Sequence, residues 1–426
     1  MIFLVDAKLI GLGACEEVGR SSFILDVGDK ILLDRGVKLS PDLTEYPLPI
    51  KTNISAAVLS HAHFDHSGYI PDLYKDFKVL TYLTAPTLDL SRILWEDSLK
   101  IADRNGVPPP YSKFDIKNSD KFSFFVDYQK QIQITDSVSL ELFDAGHILG
   151  SSLSKLNFGE KSFLYTGDFR PDETRLQKGA DLDVGEVDYV MIESTYGDRN
   201  HPDRAEVEKK FVDSVRDVVE SGGTALVPAF ALGRSQEILD ILFEYDVNLP
   251  IFFDGMGQKV GDVFLKYPKL LKNASFLSKA MRNATWVRNE RIRRSATSEP
   301  SIIVTTSGML QGGPILSYLK KFYNDPKTKI FLTGYQVDGT NGRTLLDNGV
   351  VDIDGEFVSV KCQVEKYDFS AHASQEEMLY SIKKWSPEKV ILVHGDKDVM
   401  PIFKNTIEEE LGISTSILKK DSPMKL

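Results

Sequence analysis

Three of the chain's seven histidines fall within His61-Ala62-His63-Phe64-Asp65-His66, directly after the apolar run Ala56-Ala57-Val58-Leu59. A short apolar run that ends in a polar turn reads as a buried strand breaking at its end, which aims several side chains at one point. One such histidine would be an ordinary surface residue on a turn. Four ligand-type residues together form a donor set suited to a divalent first-row ion. A fold for this chain must hold that turn on a strand end and bring other strand ends to it.

With 426 residues and 42% hydrophobic content, the chain has enough apolar surface for two or three compact units. No stretch reaches the ~18 uninterrupted apolar residues of a membrane span. Residues 1–8 lack a basic lead and a small-residue cleavage site, and read as a first strand rather than a signal peptide. Cys15 and Cys362 make neither a disulfide framework nor a CxxC pair; they read as packing residues, and a cytoplasmic location is expected. The net charge of -11 weighs against nucleic-acid binding through overall charge, but leaves room for a local basic patch or a metal-lined cleft.

In chain order, residues 22–27 and 30–34 are β-rich runs split by the hairpin signal Gly28-Asp29, and Asp34 falls at a strand end where its carboxylate can support a neighbouring ligand. Residues 78–82 read as a strand and 87–105 as a helix, stopped by Gly106 and the prolines behind it. Val138, Leu140 and Leu142 alternate with polar residues, which predicts a half-buried strand leading to His147. A hairpin turning at Gly159-Glu160 leads to Asp168, and the apolar strand 187–192 leads to Glu193. From Asp203 onward, helical and strand-like runs alternate (helices 205–220, 235–245 and 315–322; strands 224–230, 251–254, 302–305 and 330–333), which predicts a second, mainly parallel α/β domain. The tail returns to site-like residues: Ser370 and His372 before a helix to about Trp385, then a strand 389–393 ending in His394, a helix 399–411 and a short strand.

Six histidines sit after apolar strands or beside Gly, Ser and Asp; only His201 reads as an ordinary loop residue. With Asp65 and Asp168 they suffice for two divalent ions about 3.5 to 4 Å apart, with a bridging carboxylate and a hydroxide between them.

The order His61-x-His63-x-Asp65-His66, His147, Asp168, with Asp34 upstream, resembles the metal motifs of the metallo-β-lactamase superfamily. Glu193 in Glu193-Ser194-Thr195-Tyr196-Gly197, His372 in Phe369-Ser370-Ala371-His372 and His394 in Val393-His394-Gly395 resemble motifs A, B and C of its β-CASP nucleases. The segments Ala229-Phe230-Ala231-Leu232-Gly233-Arg234 and Thr306-Ser307-Gly308-Met309-Leu310 look familial as well. The chain therefore resembles β-CASP ribonucleases over nearly its whole length, in the compact archaeal or bacterial form of the cleavage and polyadenylation specificity factor nuclease.

That resemblance implies an α/β architecture, an αββα sandwich (1–197 and 367–426) interrupted by a β-CASP domain (198–366). It implies two zinc ions, with His61, His63 and His147 on the first, Asp65, His66 and His394 on the second, Asp168 between them and Asp34 behind. Asp65, Glu193 and His372 become catalytic candidates, His372 protonating the leaving 3'-oxygen while paired with Glu193. His63 favours zinc over iron, since the di-iron branch typically has Glu there. The implied substrate is single-stranded RNA, cut internally or from the 5' end to leave a 5'-phosphate and 3'-hydroxyl, in RNA processing or decay. Arg234, Ser307, Gly308 and Ser370 are candidate substrate contacts, and a homodimer or an RNA-processing complex stays open. The sequence shows no counterpart of a KH extension or of the added C-terminal domain of RNase J.

Two other classes share part of this pattern. A small-molecule metallo-hydrolase of the glyoxalase or lactonase type needs the metal cluster but no long insert, and an inactive scaffold subunit would have lost ligands that this chain keeps. Residues 282–294, with Arg282, Arg288, Arg291, Arg293 and Arg294 around Trp286, suit either RNA contact or a solvated helix face.

Overall fold

The computed structural model describes residues 7–39 and 44–426. Of the first strand expected over residues 1–8, residues 1–6 lie outside the described residues; a strand begins at Lys8, runs over Lys8–Gly13 and pairs antiparallel with Ser22–Val27. The hairpin at Gly28 then turns into Asp29–Leu33, which runs parallel to Ala56–Val58. With Thr81–Leu83, Ser123–Phe125 and Met424–Lys425 these strands make a seven-stranded sheet.

A second seven-stranded sheet has the order Ser414–Ile417, Lys389–Val393, Tyr189–Glu193, Lys161–Tyr165, Ser152–Phe158, Val138–Asp144, Ile132–Gln133. The two sheets share one core, in which Phe23, Leu25, Ile31 and Leu33 of the first meet Leu140, Leu142, Leu156 and Phe163 of the second. Helices cover both outer faces: Ile70–Asp76, Ala85–Asn105 and Lys113–Lys121 on the first sheet, Gln375–Trp385 and Val399–Leu411 on the second. Thus the last sixty residues return to complete the sandwich that the first two hundred begin.

Two expectations need correcting here. Val138–Asp144 is buried on both faces rather than half-buried, because Phe143 on its outer side packs under the Gln375–Trp385 helix with Met378 and Trp385. The strand expected at 78–82 begins only at Thr81, where pairing with both neighbours starts, to Ala57 on one side and Ser123 on the other.

The chain between the two parts of the sandwich forms a six-stranded sheet, in the order Thr285–Trp286, Ile251–Asp254, Ile302–Thr305, Ala225–Pro228, Lys329–Leu332, Gln363–Lys366, and parallel throughout. Helices fill both of its faces, which is why its strands read as short, continuously apolar runs. Arg204–Glu220, Arg234–Glu244, Gly257–Lys266 and Ala274–Asn283 pack on one side, and Ile315–Phe322 and Asn341–Asn348 on the other. The first of these cores also contains Ala62, Ile148, Leu149 and Phe369, so the parallel unit packs against the loops that carry His61, His147 and His372.

Candidate metal centre and active site

Every ligand candidate of the histidine cluster lies just past a strand of the sandwich. Ala56–Val58 leads into the turn with His61 and His63 and a single helical turn, Phe64–Ser67, that presents Asp65 and His66. Val138–Asp144 leads to His147, Lys161–Tyr165 to Asp168 and Lys389–Val393 to His394, while Glu193 ends its own strand. Asp34 and His394 both take up left-handed backbone, with φ of 57° and 49°. Non-glycine residues adopt this at a cost that clusters at functional sites.

The side chains converge in two sets joined by one carboxylate. His61, His63, His147 and Asp168 each offer a ligand atom within 4.8 Å of the others, and so do Asp65, His66, Asp168 and His394. Asp168 is 2% exposed and reaches both ways: Oδ2 lies 3.5 Å from His61 Nε2 and 3.7 Å from His147 Nε2, while Oδ1 lies 3.3 Å from His66 Nε2 and 3.2 Å from His394 Nδ1.

Hydrogen bonds behind the cluster fix which ring nitrogen faces it. Asp34 Oδ2 takes the His66 Nδ1 contact at 2.7 Å and accepts from Tyr165 Oη and Ser60 Oγ at 2.6 Å each. His147 Nδ1 donates to the Ala371 carbonyl at 2.7 Å. Both rings therefore turn Nε2 inward, the arrangement by which a second partner orients a metal-binding imidazole.

A cation fits this donor set. His61 Nε2 and Asp168 Oδ1 are buried without a hydrogen-bond partner, a costly state for isolated polar atoms and the expected one for metal-ligating atoms. Burial holds His63 down to about 4, and burial together with the neighbouring His66 charge holds His61 well below its ordinary value, so both offer lone pairs at neutral pH. Burial opposes ionisation of Asp65 and Asp168, but His394 and His66 outweigh it and keep both carboxylates charged. Burial likewise opposes charge on His66, yet Asp168 and Asp34 drive its protonation upward.

Beside this cluster, Glu193 is fully buried and splits its carboxylate between the Phe169 backbone N–H at 2.9 Å and His372 Nδ1 at 2.8 Å. Burial works against a charge on His372, but Glu193 and then Asp168 raise its value to about 9. His372 Nδ1 is 4.0 Å from Asp168 Oδ2, which joins the pair to the cluster.

Comparison with known proteins follows the same division. Residues 11–192 match the family described as anti-Pycsar protein Apyc1, 235–345 the Beta-Casp domain, and 358–418 the Zn-dependent metallo-hydrolase RNA specificity domain. The chain is similar to "Probable RNase MJ4" of Methanocaldococcus jannaschii, with 40% identity over 93% of this chain and 95% of the relative. The chain belongs to the β-CASP ribonuclease family of the metallo-β-lactamase superfamily. "RNase aCSPSF2" of Saccharolobus solfataricus is 36% identical over 94% of this chain and 82% of its own length. "Transcription termination factor FttA" of Thermococcus kodakarensis is 34% identical over 96% and 69%. A crystal structure of a protein of unknown function from Enterococcus faecalis V583 shares the fold, with a TM-score of 0.62 at 13% identity over 99% of this chain and 100% of that one.

The four candidate substrate contacts of this β-CASP chain separate into two groups. Ser370 accepts the His372 backbone N–H on Oγ at 3.1 Å, and Arg234, 8% exposed, ion-pairs with Glu237 at 2.6 Å. Burial lowers Arg234 to about 10 although Glu237 opposes the shift, and its Nε has no partner. By contrast, Ser307 spends its hydroxyl inside its own loop on Gln311, and Gly308 lies against the backbone of Phe230.

His201 is not an ordinary loop residue. Its Nδ1 lies 3.1 Å from Asp368 Oδ2 and its Nε2 3.0 Å from the His372 carbonyl, so the ring ties together both ends of the short loop that carries His372. Arg170, two residues after Asp168, supports the same loop through the Ser370 carbonyl at 2.8 Å. Nearness to Asp168 was the available signal for Arg170; His201 had none, because its partners lie 167 and 171 positions away.

Proposed function

We propose that this chain hydrolyses phosphodiester bonds of single-stranded RNA at a site for two zinc ions, leaving a 5'-phosphate and a 3'-hydroxyl. The observation that carries the reading is the single carboxylate of Asp168 shared by two ligand sets, with the Glu193–His372 pair beside it. In this reading His61, His63 and His147 hold one ion, Asp65, His66 and His394 the other, and Asp168 bridges. Bound zinc ions supply ionised water near neutral pH and offset the charge that builds on the phosphoryl oxygens.

The chain's own groups do the rest. Asp65 lies 3.2 Å from His394 Nε2 and keeps an ionised carboxylate at the mouth of the cluster, where it orients the attacking water. His372 has its Nδ1 engaged by Glu193, and its Nε2, without a partner among the described residues, faces the leaving 3'-oxygen and gives it a proton. Arg234 and Ser370 flank the His372 loop, where a guanidinium and a hydroxyl hold the phosphates adjoining the scissile bond. No helix among the described residues is long and apolar enough to cross a membrane, and the substrate is met in the cytoplasm.

The test is incubation of the pure protein with 5'-labelled single-stranded RNA, with and without a chelator. Metal-dependent products ending in 3'-hydroxyl are expected. RNA that stays intact with every divalent ion tried would overturn the reading, and the pattern of labelled mononucleotides or longer fragments assigns the direction of attack.

A further inference from the structure

The arginine-rich stretch takes no part in the metal cluster. Residues 282–294 carry five arginines against the single acid Glu290, in a chain of net charge -11. They form the edge strand Thr285–Trp286 of the parallel sheet, a turn, and the helix Glu290–Ala296. Beyond the ends of this strand and of Ile251–Asp254 lies a groove of about 500 Å³ whose lining includes Asp254, Lys259, Trp286, Arg288 and Arg293. Parallel α/β sheets gather ligands at this edge.

Trp286 is prepared for stacking. Trp95 and Trp385 are 0% exposed, whereas Trp286 is only half-buried. Its indole Nε1–H is satisfied by the Met281 carbonyl at 2.9 Å, and Phe253 meets it in a T-shaped contact, so the ring is held in place in the groove's lining. Arg288 lies over that ring at 5.5 Å and has no carboxylate partner among the described residues. A cation–π contact at an exposed ring is weaker than the stacking of a nucleobase, so a base displaces the guanidinium and frees it for phosphate. Asp254 does not repel an anion, because Arg293 and the Tyr318 hydroxyl each reach it at 2.8 Å. Asp262, the other acid of the lining, has Lys259 one helical turn away.

Contacts along one row of strand ends link the groove's walls to the loop that follows His394. Tyr335 Oη is 3.4 Å from Asp396, two residues beyond His394; Gln336 Nε2 reaches the Gly308 carbonyl; Thr306 Oγ1 accepts the Met256 N–H; and Val287 N–H bonds the Phe253 carbonyl. From the Lys329–Leu332 strand to Thr285–Trp286 are four strand spacings, roughly 19 Å, or about six nucleotides of stacked single strand.

We propose that this groove is a second binding site for single-stranded RNA: one base stacks on Trp286, Arg288 meets a phosphate, and the exposed Arg291 and Arg294 extend the basic rim. The identity of the ligand rests on the ribonuclease reading; the groove itself does not.

The experiment follows tryptophan emission of the metal-loaded protein during titration with single-stranded RNA of phosphorothioate linkages, which keeps the charge and resists hydrolysis. Saturable quenching is expected, with a strand of about twelve nucleotides binding roughly tenfold more tightly than one of about four, too short to reach from cleft to groove. Trp286→Phe should abolish the quench. Arg288→Glu, at an exposed position that leaves the fold intact, should remove the length dependence. Equal affinity for both lengths, or an Arg288→Glu protein that binds the long strand like wild type, overturns the proposal. Cleavage of ordinary RNA without any quench overturns the groove and leaves the ribonuclease reading standing; a quench without cleavage does the reverse.

Discussion

Replacing His201 with alanine removes two contacts that fix the loop carrying His372, one at 3.1 Å with Asp368 and one at 3.0 Å with the His372 carbonyl. The Asp368 side chain is 33% exposed and recovers water, and a ring with one N–H can donate to only one of these two oxygens, so the loss counted is that of one hydrogen bond rather than of a stranded charge. At about 1 kcal/mol of loop positioning this is a roughly fivefold fall in the rate of cleavage. Single-turnover cleavage of labelled RNA with metal saturating measures it, alongside the metal content of the variant, which should be unchanged because His201 touches no ligand of the cluster. His201→Gln keeps one donor toward the carbonyl and should recover part of the rate. A His201→Ala rate within twofold of wild type would refute the clamp and leave Arg170 and Ser370 as the supports of the loop.

Asp34→Ala removes the partner of His66 Nδ1 and strands the Tyr165 hydroxyl; zinc affinity, read by competition with a chromogenic chelator, should fall about ten- to a hundredfold, and an unchanged affinity contradicts the orienting role. Asp240 lies buried in the Arg234–Glu244 helix with one oxygen unpartnered, and burial followed by the Glu237 charge pushes it up to about 8 from 3.8. Its contribution to stability is complete below the unfolded value and lost as pH rises through the folded one. In urea melts the advantage of Asp240→Asn over wild type should therefore grow by about 1.4 kcal/mol per unit between about pH 5 and pH 7, and a constant difference contradicts the shift.

Much of this architecture was legible because local and global signals agree. The glycine turns at Gly28 and Gly159 close hairpins as expected, and the alternation from Asp203 onward becomes a wholly parallel sheet. The convergence of the candidate donors was legible for a related reason: each follows an apolar strand, and strand ends are where such folds collect reactive groups. What stayed hidden depends on long-range packing. Burial of Phe143 comes from a helix more than two hundred residues later, and the use of His201 comes from a loop across the cleft. Within residues 282–294 the arginines divide by packing that the sequence does not show: Arg293 pairs with Asp254 and Glu290, while Arg288 lies over Trp286.

The most direct test of the account is single-turnover cleavage of 5'-labelled RNA by metal-stripped protein as zinc is added back in known ratio to the chain. Activity should appear only with zinc and rise until about two ions are bound per chain. Cleavage that needs no metal, or RNA left intact at full zinc occupancy, would contradict the shared role of Asp168 between the two ligand sets.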